Sequence, residues 1–292
     1  ADGEFFRAVA NQGPRKGEGG STRQGRYAFT AAGKLLGFNN NRGPERLLRM
    51  LGEALDAWSN LPAAERSPEK VEDGREDPRY AKAPPAEGAV VKVYTRVMEE
   101  GAAGKSLQRC EAPAADESFR HRGFGAATDH LWLRAEDLAA LRPPADAKAG
   151  QPIPVPAAIA ARIARFHLTD NSRGEPPHWN RDEIRQLALQ IVPQGGGKAR
   201  LEGSAHLETK SGDRGFQGKI LGSLAFDGGA LAKLDFIALG DHWGDGPYTK
   251  GARPGRTPIG FAFQYLPEPK PADQIPPQAG RWLQGYYEAD RH

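Results

Sequence analysis

Cysteine is nearly absent from this chain. Cys110 stands alone among 292 residues, which excludes an intrachain disulfide and any multi-cysteine metal centre. Long apolar runs are missing too: none approaches the roughly 20 residues a membrane-crossing helix needs, so membrane insertion is not expected. Charge of one sign is also scarce. The formal net charge is +3 and the pI about 8.9, with Lys and Arg interleaved with Asp and Glu. A nucleic-acid binder usually clusters its basic residues, so no nucleic-acid partner is expected. Catalytic signatures fail in the same way. There is no G-x-S-x-G and no H-E-x-x-H, and Cys110 sits in a polar loop with no histidine near it in sequence, which leaves nucleophilic catalysis without support.

What the chain has in excess is glycine (36) and proline (24), against an apolar share of 38% and a mean hydropathy of −0.63. Loops must therefore take a large part of it. It begins Ala1-Asp2-Gly3. The missing methionine predicts a removed leader and an exported protein: secreted, periplasmic or at the cell surface.

In the first sixty residues, 4–11 read as a short helix. Gly25-Arg-Tyr-Ala-Phe-Thr30 and Lys34-Leu-Leu-Gly-Phe38 read as two strands about a tight turn. Pro44 and Glu45 open a helix in which Leu47, Leu48, Leu51, Ala54, Leu55 and Trp58 recur at helical spacing as one apolar face. The run Tyr27 to Phe38 followed by Glu45 to Trp58 resembles the C-terminal half of a thioredoxin-like domain. That family's redox cysteine pair lies upstream of these elements, and no cysteine stands there in this chain, so the resemblance implies a redox-inactive remnant. The whole chain is similar to secreted bacterial proteins that join such a region to a β-rich domain, a likeness that carries no known activity.

Residues 61–87 read as a charged, proline-rich linker. Beyond it, Ala89 to Met98, Asp129 to Leu133, Ile184 to Val192, Arg200 to Thr209, Gly218 to Asp227, Ala232 to Gly240 and Ile259 to Phe263 read as strands. From Ile184 onward the connections are too short for crossover helices, so neighbours should be antiparallel. The expected fold is α+β. A partial thioredoxin-like region (1–60) precedes an antiparallel β-meander or open barrel (88–266) with one or two covering helices, one at 156–166. A proline-rich arm with an aromatic tail (267–292) follows and should dock on the sheet or on another subunit. Ile220, Leu224, Phe226, Leu234, Phe236 and Leu239 are the expected core of the meander.

Function is expected in what this scaffold displays, above all the glycine-rich stretch from Asp241 to Arg256. His206, Asp241 and His242 combine imidazole and carboxylate, a set suited to a divalent metal such as zinc. Trp243 and Tyr248 could stack on a sugar, while Lys250, Arg253 and Arg256 could grip an anion. The loop His167–Trp179, with Asp170, Glu175 and His178, is a possible neighbour, whereas His121–Gly125 is glycine-rich but lacks the strand-to-helix context of a phosphate loop. The leading expectation is a non-enzymatic structural or interaction protein, associating with itself or with another envelope protein and needing no cofactor. Its rivals are a metal-dependent hydrolase or small-ligand binder built on the 241–256 loop, and a redox-inactive relative of thioredoxin-like proteins.

Overall fold

The computed structural model describes residues 2–14, 23–41, 43–66, 82–101, 106–110 and 126–291. Much of the expected linker and the His121–Gly125 loop lie outside these residues. The chain divides into two compact units, Ala1–Ala81 and Lys82–His292.

The first unit begins with helix α1 (Asp2–Ala10), followed by strands β1 (Arg26–Phe29) and β2 (Leu35–Asn39), helix α2 (Pro44–Ser59) and the one-turn α3 (Ala63–Arg66). The strands pair antiparallel, with Ala28 opposite Gly37 and Tyr27 opposite Phe38. α1 meets Tyr27 and Phe29 through Phe6 and Phe5. α2 approaches through Gly37, where a Cβ would collide with Met50. The face α2 buries is Met50 and Ala54, whereas Leu48 (69% exposed), Leu55 (64%), Leu51 and Trp58 remain open. The single apolar face expected here is thus two: a two-stranded ribbon is too narrow to cover an apolar arc that wide.

The second unit is built on one antiparallel sheet. Its strands are β3 (Ala89–Glu100), β4 (Leu107–Arg109), β5 (Ala126–Leu133), β6 (Ile153–Pro154), β7 (Ile184–Gly195), β8 (Lys198–Glu208), β9 (Gly215–Asp227), β10 (Ala230–Trp243) and β11 (Thr257–Leu266). β6 to β11 lie side by side in chain order, β11 pairs with β3, and β4 and β5 pair with β3. The sheet does not close on itself. Between its two ends runs α5 (Ala157–Arg162), continued as a π-helical turn over Ile163–His167, and these touch both β5 and β7. The helix expected at 156–166 is therefore the element that fills the gap. A short α4 (Ala135–Leu141) follows β5.

Alternation along each strand decides the core. Leu234, Phe236 and Ala238 of β10 are buried, as are Ile220, Leu224 and Phe226 of β9. Leu239 is 38% exposed and does not belong to that core; its odd position turns it to the outer face.

The tail docks within its own unit. Lys92 Nζ pairs with Asp273 at 2.6 Å, and the Gln278 N–H donates to Asp129 Oδ1 at 2.8 Å. Beyond them, α6 (Leu283–Tyr287) brings in Tyr286, 1% exposed. The Tyr286 hydroxyl accepts from the Trp132 N–H at 3.2 Å and bonds His167 Nε2 at 2.8 Å. His167 Nδ1 lies 3.1 Å from Asp129 Oδ2. Arg162, fully buried, donates to both Asp137 oxygens (2.7 and 3.3 Å) and to the carbonyls of Trp132, Tyr286 and Tyr287. Every N–H of that guanidinium has an acceptor, the condition under which a buried cation is tolerated.

Candidate ligand-binding cleft

The stretch expected as a loop from Asp241 starts as strand. Asp241, His242 and Trp243 pair with Gln217, Phe216 and Gly215 of β9, so β10 runs three residues further than its apolar pattern suggests. Strand parity then separates the three residues expected to share a metal. His206 and Asp241 are both register partners of Gln217 and sit on the outer face. His242, between Asp241 and Trp243, turns inward and is buried. Burial pushes its pKa down to about 4, so its ring is neutral at neutral pH. Among the described residues no group of three His, Cys, Asp or Glu is arranged to hold a metal.

The five residues expected to bind a sugar or anion also diverge. Trp243 lies across Gly215, where a Cβ would collide with the indole, and its Nε1 donates to the Gly212 carbonyl at 3.0 Å. The Arg256 guanidinium stacks 4.0 Å above that indole and bonds Gln217 Oε1 at 2.8 Å. Arg253 turns toward the sheet and donates to the carbonyls of Met98 (2.7 Å) and Pro258 (3.2 Å). Tyr248 is 73% exposed, and Lys250 is exposed with no ion pair among the described residues.

The structure does bring the Asp241–Arg256 stretch against the His167–Trp179 loop. Arg173 joins them: its guanidinium bonds Asp170 (2.6 Å), Asp245 (2.8 Å) and the carbonyls of Thr249 and Gly244. Asp170 also accepts from the N–H and hydroxyl of Ser172, the turn-forming role its residue type suggests. Trp179 is 1% exposed and belongs to the core.

Beside this clamp opens a cleft of about 690 Å³, between residues 177–183, the 209–214 turn and Asp245–Pro247. Its walls are mostly polar, and each of its carboxylates already has a hydrogen-bond or ion-pair partner. Asp182 pairs with Lys210 at 2.7 Å. Asp213 accepts the hydroxyls of Thr209 (2.6 Å) and Ser211 (2.7 Å). Asp245 pairs with Arg173, and Glu183 caps the Asn180 N–H.

Arg214 stands apart. It is 6% exposed, its guanidinium stacks 4.0 Å over Trp179, and its one side-chain hydrogen bond among the described residues goes to the Pro177 carbonyl at 2.8 Å. Burial pulls its pKa below the ordinary arginine value, with nearby Glu183 and Asp213 opposing that pull. Next to it, burial lowers His178 to about 4, so at neutral pH that ring supplies one donor and one acceptor.

Sequence reading missed Arg214. It closes the turn Thr209-Lys-Ser-Gly-Asp-Arg214, and nothing in that pattern marks an arginine that folds inward onto a tryptophan thirty-five positions earlier. The Asp129–His167–Tyr286 chain was equally hidden. It has the residue types of a proton relay, and all three members are buried where the tail docks. No family model, no curated protein and no solved structure matches this chain.

Proposed function

We propose that this is a non-catalytic, exported binding protein whose larger unit takes a small anionic ligand, bearing a carboxylate or phosphate, in the cleft at Arg214. The observation that carries this reading is a buried guanidinium with one protein hydrogen bond, facing a polar cleft whose carboxylates are otherwise engaged. After that one bond most of its five N–H donors are left for a ligand, and a planar anion matches them. Calorimetric titration with acetate, glucuronate and inorganic phosphate tests it. At least one should bind, and Arg214→Met should abolish that binding. Failure of all three, or unchanged binding by the variant, overturns the reading.

Self-association is the second reading. The aromatic tail no longer supports it, because Tyr286 is spent inside its own unit. Its support is the open stripe Leu48, Leu51, Leu55 and Trp58 on α2, whose i, i+3, i+7 and i+10 spacing suits packing against a second copy or another envelope protein. A sedimentation mass equal to one chain at micromolar concentration would sink it. The layering of α1, the β1–β2 ribbon and α2 also suits half of a thioredoxin-like domain, here as a redox-inactive remnant.

A further inference from the structure

The gap between the ends of the large sheet is filled unevenly. On one side of α5 the main chain of β5 is sealed by Arg162 and Tyr286. On the other side the partner of β7 is β6, only two residues long, with Ile153 opposite Ile191 and Pro154 opposite Gln190. The Val155 N–H donates to the Leu189 carbonyl at 2.9 Å, and the chain then leaves the edge through Pro156 into α5.

That bond sets the phase of the edge. In an antiparallel strand the main-chain groups of alternate residues face the same neighbour. Since Leu189 faces away from β8, Leu187 does too, and its N–H and C=O have no partner among the described residues. Beyond it lies a groove of about 570 Å³ between β7 and α5. Its helical wall is Ala157, Ala160 and Ala161, small side chains that leave room over the inner face. Asp290, with no ion pair among the described residues, lines the groove together with Arg181, whose guanidinium is bonded to the Arg291 carbonyl.

We propose that this groove binds an extended peptide from another protein, added antiparallel to β7 in continuation of β6, with a small apolar side chain over the alanines of α5 and a lysine or arginine reaching Asp290. Each part follows from a different observation. The open main-chain edge dictates an extended partner, since strand addition satisfies such an edge. The residue opposite Leu187 must point inward with it, toward the alanine wall. The unpaired Asp290 carboxylate selects a cation, the donor that bonds a carboxylate most strongly. The groove is separate from the Arg214 cleft, so this inference stands or falls independently of the proposed anion site.

The experiment uses the full chain and the peptide acetyl-Lys-Val-Thr-Val-Lys-amide, with an analogue N-methylated at both valines. Binding is followed by fluorescence anisotropy, and exchange of the Leu187 amide proton by NMR. The peptide should bind with a Kd below about 1 mM and slow exchange at Leu187. The N-methylated analogue should not bind, and Asp290→Asn should weaken the unmodified peptide about ten-fold. Equal binding by the analogue or by Asp290→Asn overturns the proposal. So does a Leu187 amide already protected without peptide, which would mean the edge is already paired. The analogue tests the main-chain contact without altering the protein, so a variant that folds poorly does not spare the proposal.

Discussion

The two ends of the large sheet face the same helix and are finished in opposite ways. At β5 the edge is sealed by charge: Arg162 spans Asp137 and the Trp132 carbonyl, and Tyr286 takes the Trp132 N–H. At β7 the edge is sealed by main chain for the length of β6 and then left open beside alanines. The sealed side is fixed by buried groups that each need a partner, so it tolerates little change. The open side has few commitments and can accept something new.

The largest effect should come from unmatching the sealed edge. Arg162→Ala leaves Asp137 buried without its guanidinium and should cost about 3–5 kcal/mol in urea unfolding, while replacing both residues with apolar ones should recover most of that. Tyr286→Phe keeps the ring and removes the hydroxyl that serves His167 and Trp132, so about 1–3 kcal/mol is expected by the same measurement.

Acid should destabilise the larger unit in two stages. His178 and His242 have folded pKa values of about 4, below the ordinary 6.5, because burial disfavours their charged forms. Between those values the unfolded chain takes up protons that the folded chain refuses, so stability should fall as pH drops through that window. Burial alone would raise the Asp129 carboxyl, but His167 and the main-chain N–H groups of Gln278 and His130 hold it below its ordinary value. Its contribution is present above the unfolded carboxylate range and is lost as pH falls through its depressed folded value, after the histidines have titrated. A melting temperature that stays level from pH 8 to pH 4 would contradict the first stage, and one that falls no further below pH 4 would contradict the second.

The smallest effect belongs to the open edge. Leu187→Pro removes an N–H that faces away from β8, and proline is accepted on strand edges, so, measured against Leu187→Ala to subtract the side chain's packing on the core, less than about 1 kcal/mol should be lost. A loss as large as that of Arg162→Ala would erase the distinction between the two ends.

The sheet was largely legible in the sequence because two-residue alternation and short polar turns are local signals. Ile220, Leu224, Leu234 and Phe236 could be placed from them. Leu239 could not, since an apolar side chain on an outer face looks the same as one on an inner face until the phase is known. The same phase error grouped His242 with Asp241, which is adjacent in sequence and on the opposite side of the sheet. The meeting of the His167–Trp179 and Asp241–Arg256 stretches was anticipated, but Arg173, which joins them, was not. Arg162 and Arg214 escaped, and Tyr286 was legible only as part of a tail that docks, for a common reason: each acts on partners far away in the chain, and nothing in the neighbouring residues records which. Burial of the α2 stripe was overestimated because helical spacing shows which residues share a side, not how wide a surface the rest of the unit supplies.

The docking of Tyr286 also constrains the order in which the protein is made. The hydroxyl that satisfies the Trp132 N–H comes from 154 positions later in the chain, and one of the two main-chain partners of Asp129 comes from 149 positions later. Throughout synthesis the β5 edge must wait, unsealed, until α6 has left the ribosome. Contacts this distant form late and carry a high loop-closure cost. A nascent chain stalled just before Leu283 would hold nearly the whole sheet and still present an adhesive edge, so a chaperone that recognises unpaired strands would find its target there.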